Sequence, residues 1–187
     1  MKRLFCAVKV TPSQAVRDTL DTFRREMQGE KISWVSPDNL HLTLKFFGDT
    51  PGYKQKKITP ALRNAAAECS AFTFRMEGCG TFGNPRMPRV LWLGIKDADD
   101  LDHLYQTVNR HLEPLGYKPD KATFVPHLTI GRIKHMDDTG PLRELMAQYE
   151  STFFGTTEVN AFYLIQSILR PRGPEYKILE EFTCKGC

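Results

Sequence analysis

The chain of 187 residues is 41% hydrophobic and 26% charged, with 26 basic residues against 22 acidic ones and a net charge of +4. That excludes a disordered chain and suits one packed domain, or two small lobes sharing a core. No apolar run is long enough to span a bilayer, and a mild positive charge without a polybasic tail fits an anionic substrate but not tight non-specific duplex binding.

Residues 3–10 alternate and break at Pro12, which predicts a strand. The run is too short for the core of a signal peptide, so a cytoplasmic location is expected. Residues 12–27 carry Ala15, Val16, Leu20 and Phe23 at helical spacing, with Ser13 as N-cap and Gly29 beyond the end. A short strand over 32–35 precedes the turn Ser36-Pro37-Asp38, and a strand over 40–47 stops at Gly48-Asp49. Residues 53–69 read as a helix with Pro60 near its first turns. Strands over 72–80 and 89–95 flank a loop over 83–88. Residues 99–115 form a helix with Leu101, Leu104, Tyr105, Val108 and Leu112 on one face. A strand over 126–133, a short helix over 141–149, one long strand region over 156–169 with room for a bulge, a turn over 171–174 and a strand over 176–182 complete the chain. Strands that follow one another directly predict an α+β class with mostly antiparallel sheet, not a doubly wound parallel one.

The tripeptide His-Leu-Thr occurs at 41–43 and again at 127–129, each time on a predicted strand with a helix to follow. Alternation puts His41 and Thr43 on one face and Leu42 and Leu44 on the other; His127 and Thr129 share a face in the same way. Two positions along a strand span about 6.5–7 Å, so an imidazole and a hydroxyl at this spacing can reach one tetrahedral anion. Two such strands facing one another would bring two imidazoles to a single phosphodiester. With an ordinary pKa near 6.5, one ring can accept a proton while the other donates one. The threonine hydroxyls suit the non-bridging oxygens. In a regular strand Arg132 would lie opposite His127; a bulge, or the strand end near Gly131, would turn its planar guanidinium back toward the phosphate.

Neither motif adds an acidic residue or a second histidine at ligand spacing, and His135 falls beyond the predicted strand, so no metal is expected. His103 and His111 read as structural or solvent-facing. The five cysteines, at 6, 69, 79, 184 and 187, are scattered and odd in number, which predicts reduced thiols; Cys184-Lys185-Gly186-Cys187 reads as a surface tail. Phe46 and Phe47 follow the first motif, and alternation sends one toward the cleft, where it could stack on a base or simply pack. Lys45, Arg86, Arg89, Lys134, Arg170 and Arg172 are candidates for a basic rim.

NLHLTLKFFGD (39–49) and FVPHLTIGR (124–132) resemble the paired motifs of the two-histidine (2H) phosphoesterases, most closely the RNA 2′,3′-cyclic phosphodiesterases, also called the 2′-5′ RNA ligase family. RLFCAVKVTP at the start, PRVLWLGI in the middle and SILRPRGPEYKIL near the end extend the resemblance over nearly the whole chain. It implies a bilobal fold over residues 1–187 as a single domain, with two mostly antiparallel sheets and outer helices around a central cleft, related by a pseudo-twofold axis. It implies His41 as proton donor and His127 as proton acceptor, with Thr43, Thr129 and Arg132 binding the phosphate and neither metal nor cofactor required. The implied reaction opens an RNA terminal 2′,3′-cyclic phosphate with water to a 2′-phosphate; with a 5′-hydroxyl in place of water it reversibly forms a 2′-5′ linkage. The implied partners are RNA 3′ ends bearing the cyclic phosphate, tRNA halves among them, met by a monomer with no membrane. The rivals are a non-catalytic nucleotide- or RNA-binding module and a cyclic phosphodiesterase for small nucleotides. Asp49, Gly131 and the cysteine-bearing tail depart from the usual pattern without touching the implied chemistry.

Overall fold

In the computed structural model, which describes residues 1–119, 123–171 and 173–185, the period-two segments sort into two antiparallel sheets. The first holds β1 (Lys2–Lys9), β3 (His41–Thr50), β8 (Ala161–Arg170) and β9 (Gly173–Thr183), in the order β3-β1-β8-β9. The second holds β2 (Lys31–Trp34), β4 (Phe72–Asn84), β5 (Met87–Lys96), β6 (His127–His135) and β7 (Phe153–Val159), in the order β2-β6-β5-β4-β7. This is the α+β, two-sheet architecture expected from the sequence.

Each sheet takes two helices on its back. α2 (Gly52–Ala67) and α3 (Asp99–Leu112) pack on one another; α2 meets β8 and β9, and α3 meets β3. α1 (Gln14–Glu26) and α4 (Gly140–Tyr149) cover β7 and β4 of the second sheet. The apolar stripes decide these faces. Val16, Leu20 and Phe23 of α1 are wholly buried, as are Leu101, Leu104, Val108 and Leu112 of α3, and Leu4, Cys6 and Val8 join them from β1. Fully burying one such side chain is worth roughly 1.5–3 kcal/mol. Ser13 caps α1, accepting a hydrogen bond from the Val16 amide at 3.2 Å while donating its own proton to the Phe154 carbonyl. No helix among the described residues is long and apolar enough to cross a membrane.

Several expectations are corrected. β3 runs on through Gly48 and Asp49 to Thr50, because Gly48 takes a positive φ of 67° at a bulge that a side chain would resist. The expected loop over 83–88 is a tight hairpin in which Asn84 pairs with Met87. The single long strand over 156–169 is two strands in different sheets, β7 and β8, with Asn160 between them. Pro60 lies in the middle of α2, not in its first turns. Ala15 faces solvent, and His135 is the last residue of β6 rather than beyond it. Cys184 is buried against Cys69 and is no part of a surface tail; Cys187 and Arg172 lie outside the described residues.

Candidate active site

His41 opens β3 and His127 opens β6, and the same local device holds both rings. His41 Nδ1 sits 2.6 Å from the carbonyl of Asn39, and His127 Nδ1 sits 2.7 Å from the carbonyl of Val125, in each case two residues upstream. A carbonyl only accepts, so Nδ1 carries the proton in both rings and the Nε2 lone pair is left free. Aromatic rings fix the tilt. Phe5 and Tyr176 lie 4.9 and 5.2 Å from the His41 ring, and Phe82 lies edge-on to His127 at 4.7 Å.

Beyond each histidine the strand bulges at the same offset. Along β3, Thr43 pairs with Ala7 and Lys45 with Cys6, leaving Leu44 as the extra residue. Along β6, Thr129 pairs with Trp92 and Gly131 with Leu91, leaving Ile130 extra. An extra residue inverts the alternation downstream. Both bulges fall three residues after the histidine, and both bring the residue five positions on round to the histidine's face. That residue is Phe46 in the first motif and Arg132 in the second. Phe46 is therefore the ring in the cleft, 49% exposed, with the Arg3 guanidinium 4.9 Å above it. Phe47 turns away and packs on Tyr117.

Two adjoining hollows result. One, of about 540 Å³, is walled by Arg3, Phe5, His41, Thr43, Arg132 and Tyr176, among others. The other, of about 480 Å³, includes Phe82, Tyr105, Phe124, Val125 and His127. Thr43 and Phe46 line both, so the histidines open onto one continuous depression. Thr129 is outside the lining of these hollows, half-buried opposite Trp92 on the His127 face.

Burial lowers the pKa of both imidazoles from 6.5, and the backbone carbonyls that accept their protons oppose this only in part. The Arg132 charge lowers both further, and at His41 the charge of His127 adds to it. The rings thus share one electrostatic neighbourhood. The protein's own groups drive both toward the neutral form, and an anion lying between them would reverse that for one ring. Such an arrangement is chemically able to take up an anion and to exchange a proton at either ring. Among the described residues, no three His, Cys, Asp or Glu side chains are grouped to hold a metal ion.

The basic rim differs from expectation. Lys45 is only 4% exposed, and its ammonium donates to the Lys118 carbonyl at 2.6 Å, because the Leu44 bulge turned it inward. Arg170 is paired with Glu175. Arg86, Arg89 and Lys134 are exposed. His111 binds Glu68 at 2.7 Å, and His103 is exposed. The cation missed was Arg3; Phe5, Tyr176 and Phe82 were missed with it. Alternation put Arg3, Phe5 and Ala7 on one face of β1, but nothing local told that this face lines a cleft.

The fold is that of the two-histidine phosphoesterases. A crystal structure of a Thermus thermophilus protein matches it with a TM-score of 0.78 at 29% identity, covering 98% of each chain. Escherichia coli LigT complexed with 3′-AMP matches with a TM-score of 0.75 over 97% of each chain, at an identity of 24% that speaks for the fold alone. Residues 11–168 match the family model of the 2′-5′ RNA ligase superfamily. The curated relatives include an RNA 2′,3′-cyclic phosphodiesterase of Archaeoglobus fulgidus, 38% identical over 96% of this chain and 99% of that protein. One of Methanothermobacter thermautotrophicus is 32% identical over 96% of this chain and 97% of that protein. The chain belongs to the 2′-5′ RNA ligase superfamily.

Proposed function

We propose that this phosphodiesterase opens the 2′,3′-cyclic phosphate at an RNA 3′ end to a 2′-phosphate, with His41 and His127 as its acid and base. The observation that carries the reading is the matched anchoring of the two rings, each held through Nδ1 and each lining a shared depression. In the proposed step His127 Nε2 takes a proton from water as the oxygen attacks phosphorus. The P–O3′ bond breaks, and His41 Nε2 delivers its proton to the departing O3′. The Thr43 and Thr129 hydroxyls and the Arg132 guanidinium hold the non-bridging oxygens, where the fork of an arginine fits two at once. A 5′-hydroxyl attacking in place of water would open the same ring, with the same P–O3′ bond broken, and give a 2′-5′ linkage. RNA fragments left with cyclic ends, tRNA halves among them, are the substrates this reading names.

The test is product analysis by phosphorus NMR on a short RNA ending in the cyclic phosphate. The expected product is the 2′-phosphate, with His41→Ala and His127→Ala each slower by several orders of magnitude though still folded. A 3′-phosphate product, joined RNA in excess, or near-normal turnover in either variant would overturn the proposal.

A further inference from the structure

Outside the cleft, one pair of nucleophilic side chains stands apart from the chemistry above. Cys69 follows α2, and Cys184 follows β9, 115 positions away in sequence. Their sulfurs lie 2.7 Å apart, well inside ordinary sulfur contact and about 0.7 Å longer than a disulfide bond of ~2.05 Å. Both residues are buried. The backbone fixes both from either side: the Cys69 amide donates to the Ala66 carbonyl at 3.2 Å, and the Cys184 amide donates to the Asn160 carbonyl at 2.8 Å. The sulfurs therefore meet because the fold brings them together, not because two mobile ends have drifted into contact.

We propose that Cys69 and Cys184 are a preformed dithiol that closes to a disulfide on meeting a low-molecular-weight disulfide such as oxidised glutathione, bracing the end of β9 against α2. The hydrogen bond from Cys184 lowers the pKa of Cys69 against the opposing effects of burial and the Asp100 charge, while the Cys184 thiol is held up. Cys69 is thus the attacking sulfur. Its thiolate attacks one sulfur of the small disulfide, forms a mixed disulfide and expels one glutathione thiolate. Cys184 then gives up its proton and attacks Cys69 Sγ, forming the protein S–S bond and expelling the second glutathione thiolate. Two electrons pass from the two protein thiols to the small disulfide. The remaining described cysteines are poorly suited to compete. Burial drives the Cys6 thiol up, and burial with the Glu150 charge raises that of Cys79 to about 11.

Trypsin provides a direct readout, because Cys69 falls in the peptide 64–75 and Cys184 in 178–185, cut from Cys187 at Lys185. The full chain is incubated with excess oxidised glutathione, quenched with iodoacetamide and digested without reductant. The expected product is a disulfide joining those two peptides, lost on treatment with dithiothreitol. The loop it closes is long enough to raise the thermal midpoint by about 10 °C over the reduced protein. Cys69→Ser and Cys184→Ser should each remove both effects; if one variant folds poorly, the other and the wild-type peptide map still decide. Stable glutathione adducts without the linked peptide, a bond from Cys69 to Cys187, Cys6 or Cys79, or an unchanged midpoint after the bond has formed would overturn the proposal.

Discussion

Replacing His41 by Asn should be nearly harmless on one substrate and severe on another. The ring has a single useful proton, because Nδ1–H is committed to the Asn39 carbonyl at 2.6 Å and only Nε2 is left to exchange one. An asparagine amide can still donate to that carbonyl, so the fold at the start of β3 should persist. What is lost is one proton transfer to the leaving oxygen, worth about 10²–10⁴ in rate; the middle of that range is about 4 kcal/mol. An alkoxide such as O3′ needs that proton, whereas a nitrophenolate leaves without it. On an RNA cyclic phosphate His41→Asn should therefore lose about a thousandfold in kcat/KM, and on bis(p-nitrophenyl) phosphate less than about tenfold. His127→Asn removes the group that activates water, which both substrates need, and should lose about a thousandfold on each. The assay is steady-state kinetics of the three proteins on both substrates, with thermal unfolding to verify folding. Equal losses on the two substrates for His41→Asn would refute its role as the acid, and rescue of His127→Asn by the nitrophenyl ester would show the roles reversed.

Both imidazoles are depressed below 6.5, chiefly through burial and then the Arg132 charge, so the singly protonated pair is most abundant on the acid side of that value. The kcat/KM profile should be a bell centred below pH 6.5, and that of kcat should lie higher, since bound phosphate favours imidazolium; a kcat/KM optimum above pH 7 would contradict this. Arg132→Lys keeps the charge but loses the fork, and should cost about ten- to a hundredfold in kcat/KM on the cyclic phosphate; unchanged kinetics would remove Arg132 from the phosphate. A Cβ at Gly94, the residue paired with His127, would lie 2.5 Å from the Glu77 carbonyl. Gly94→Ala should therefore destabilise by about 1–3 kcal/mol and slow catalysis as β5 shifts beneath the histidine; an unchanged denaturation midpoint would refute the clash.

What the sequence made legible was whatever a local pattern determines. Val16, Leu20 and Phe23 announced the buried face of α1, Ser13 its cap, and alternation the open sides of His41, Thr43 and His127, though not a place for Thr129 in the hollows. Features set by a partner strand were hidden. β7 and β8 read as one run because only pairing, with β4 in one case and with β1 and β9 in the other, separates them at Asn160. Lys45 looked like a rim cation because alternation was counted without the Leu44 bulge, which shows only against Cys6 and Ala7 across the ladder. Cys184 looked like tail because the residue it is buried against, Cys69, is more than a hundred positions away in sequence.

The two bulges also explain how a nearly symmetric site could act in one direction. Each half repeats one local plan: a carbonyl two residues before the histidine to hold Nδ1, a threonine two after, a bulge at the third position and a recovered side chain at the fifth. If that were all, either imidazole could serve as acid and either bridging oxygen could leave. The fifth position breaks the equivalence, with a guanidinium on the His127 strand and an aromatic ring on the His41 strand. Arg132 and Phe46 nonetheless share the hollow of His41, so an anion drawn to Arg132 lies beside an apolar face that can take the flat, uncharged part of a nucleotide. In the proposed reaction the shared plan supplies the proton carriers. The unmatched pair orients the substrate, and with it fixes which P–O bond His41 meets.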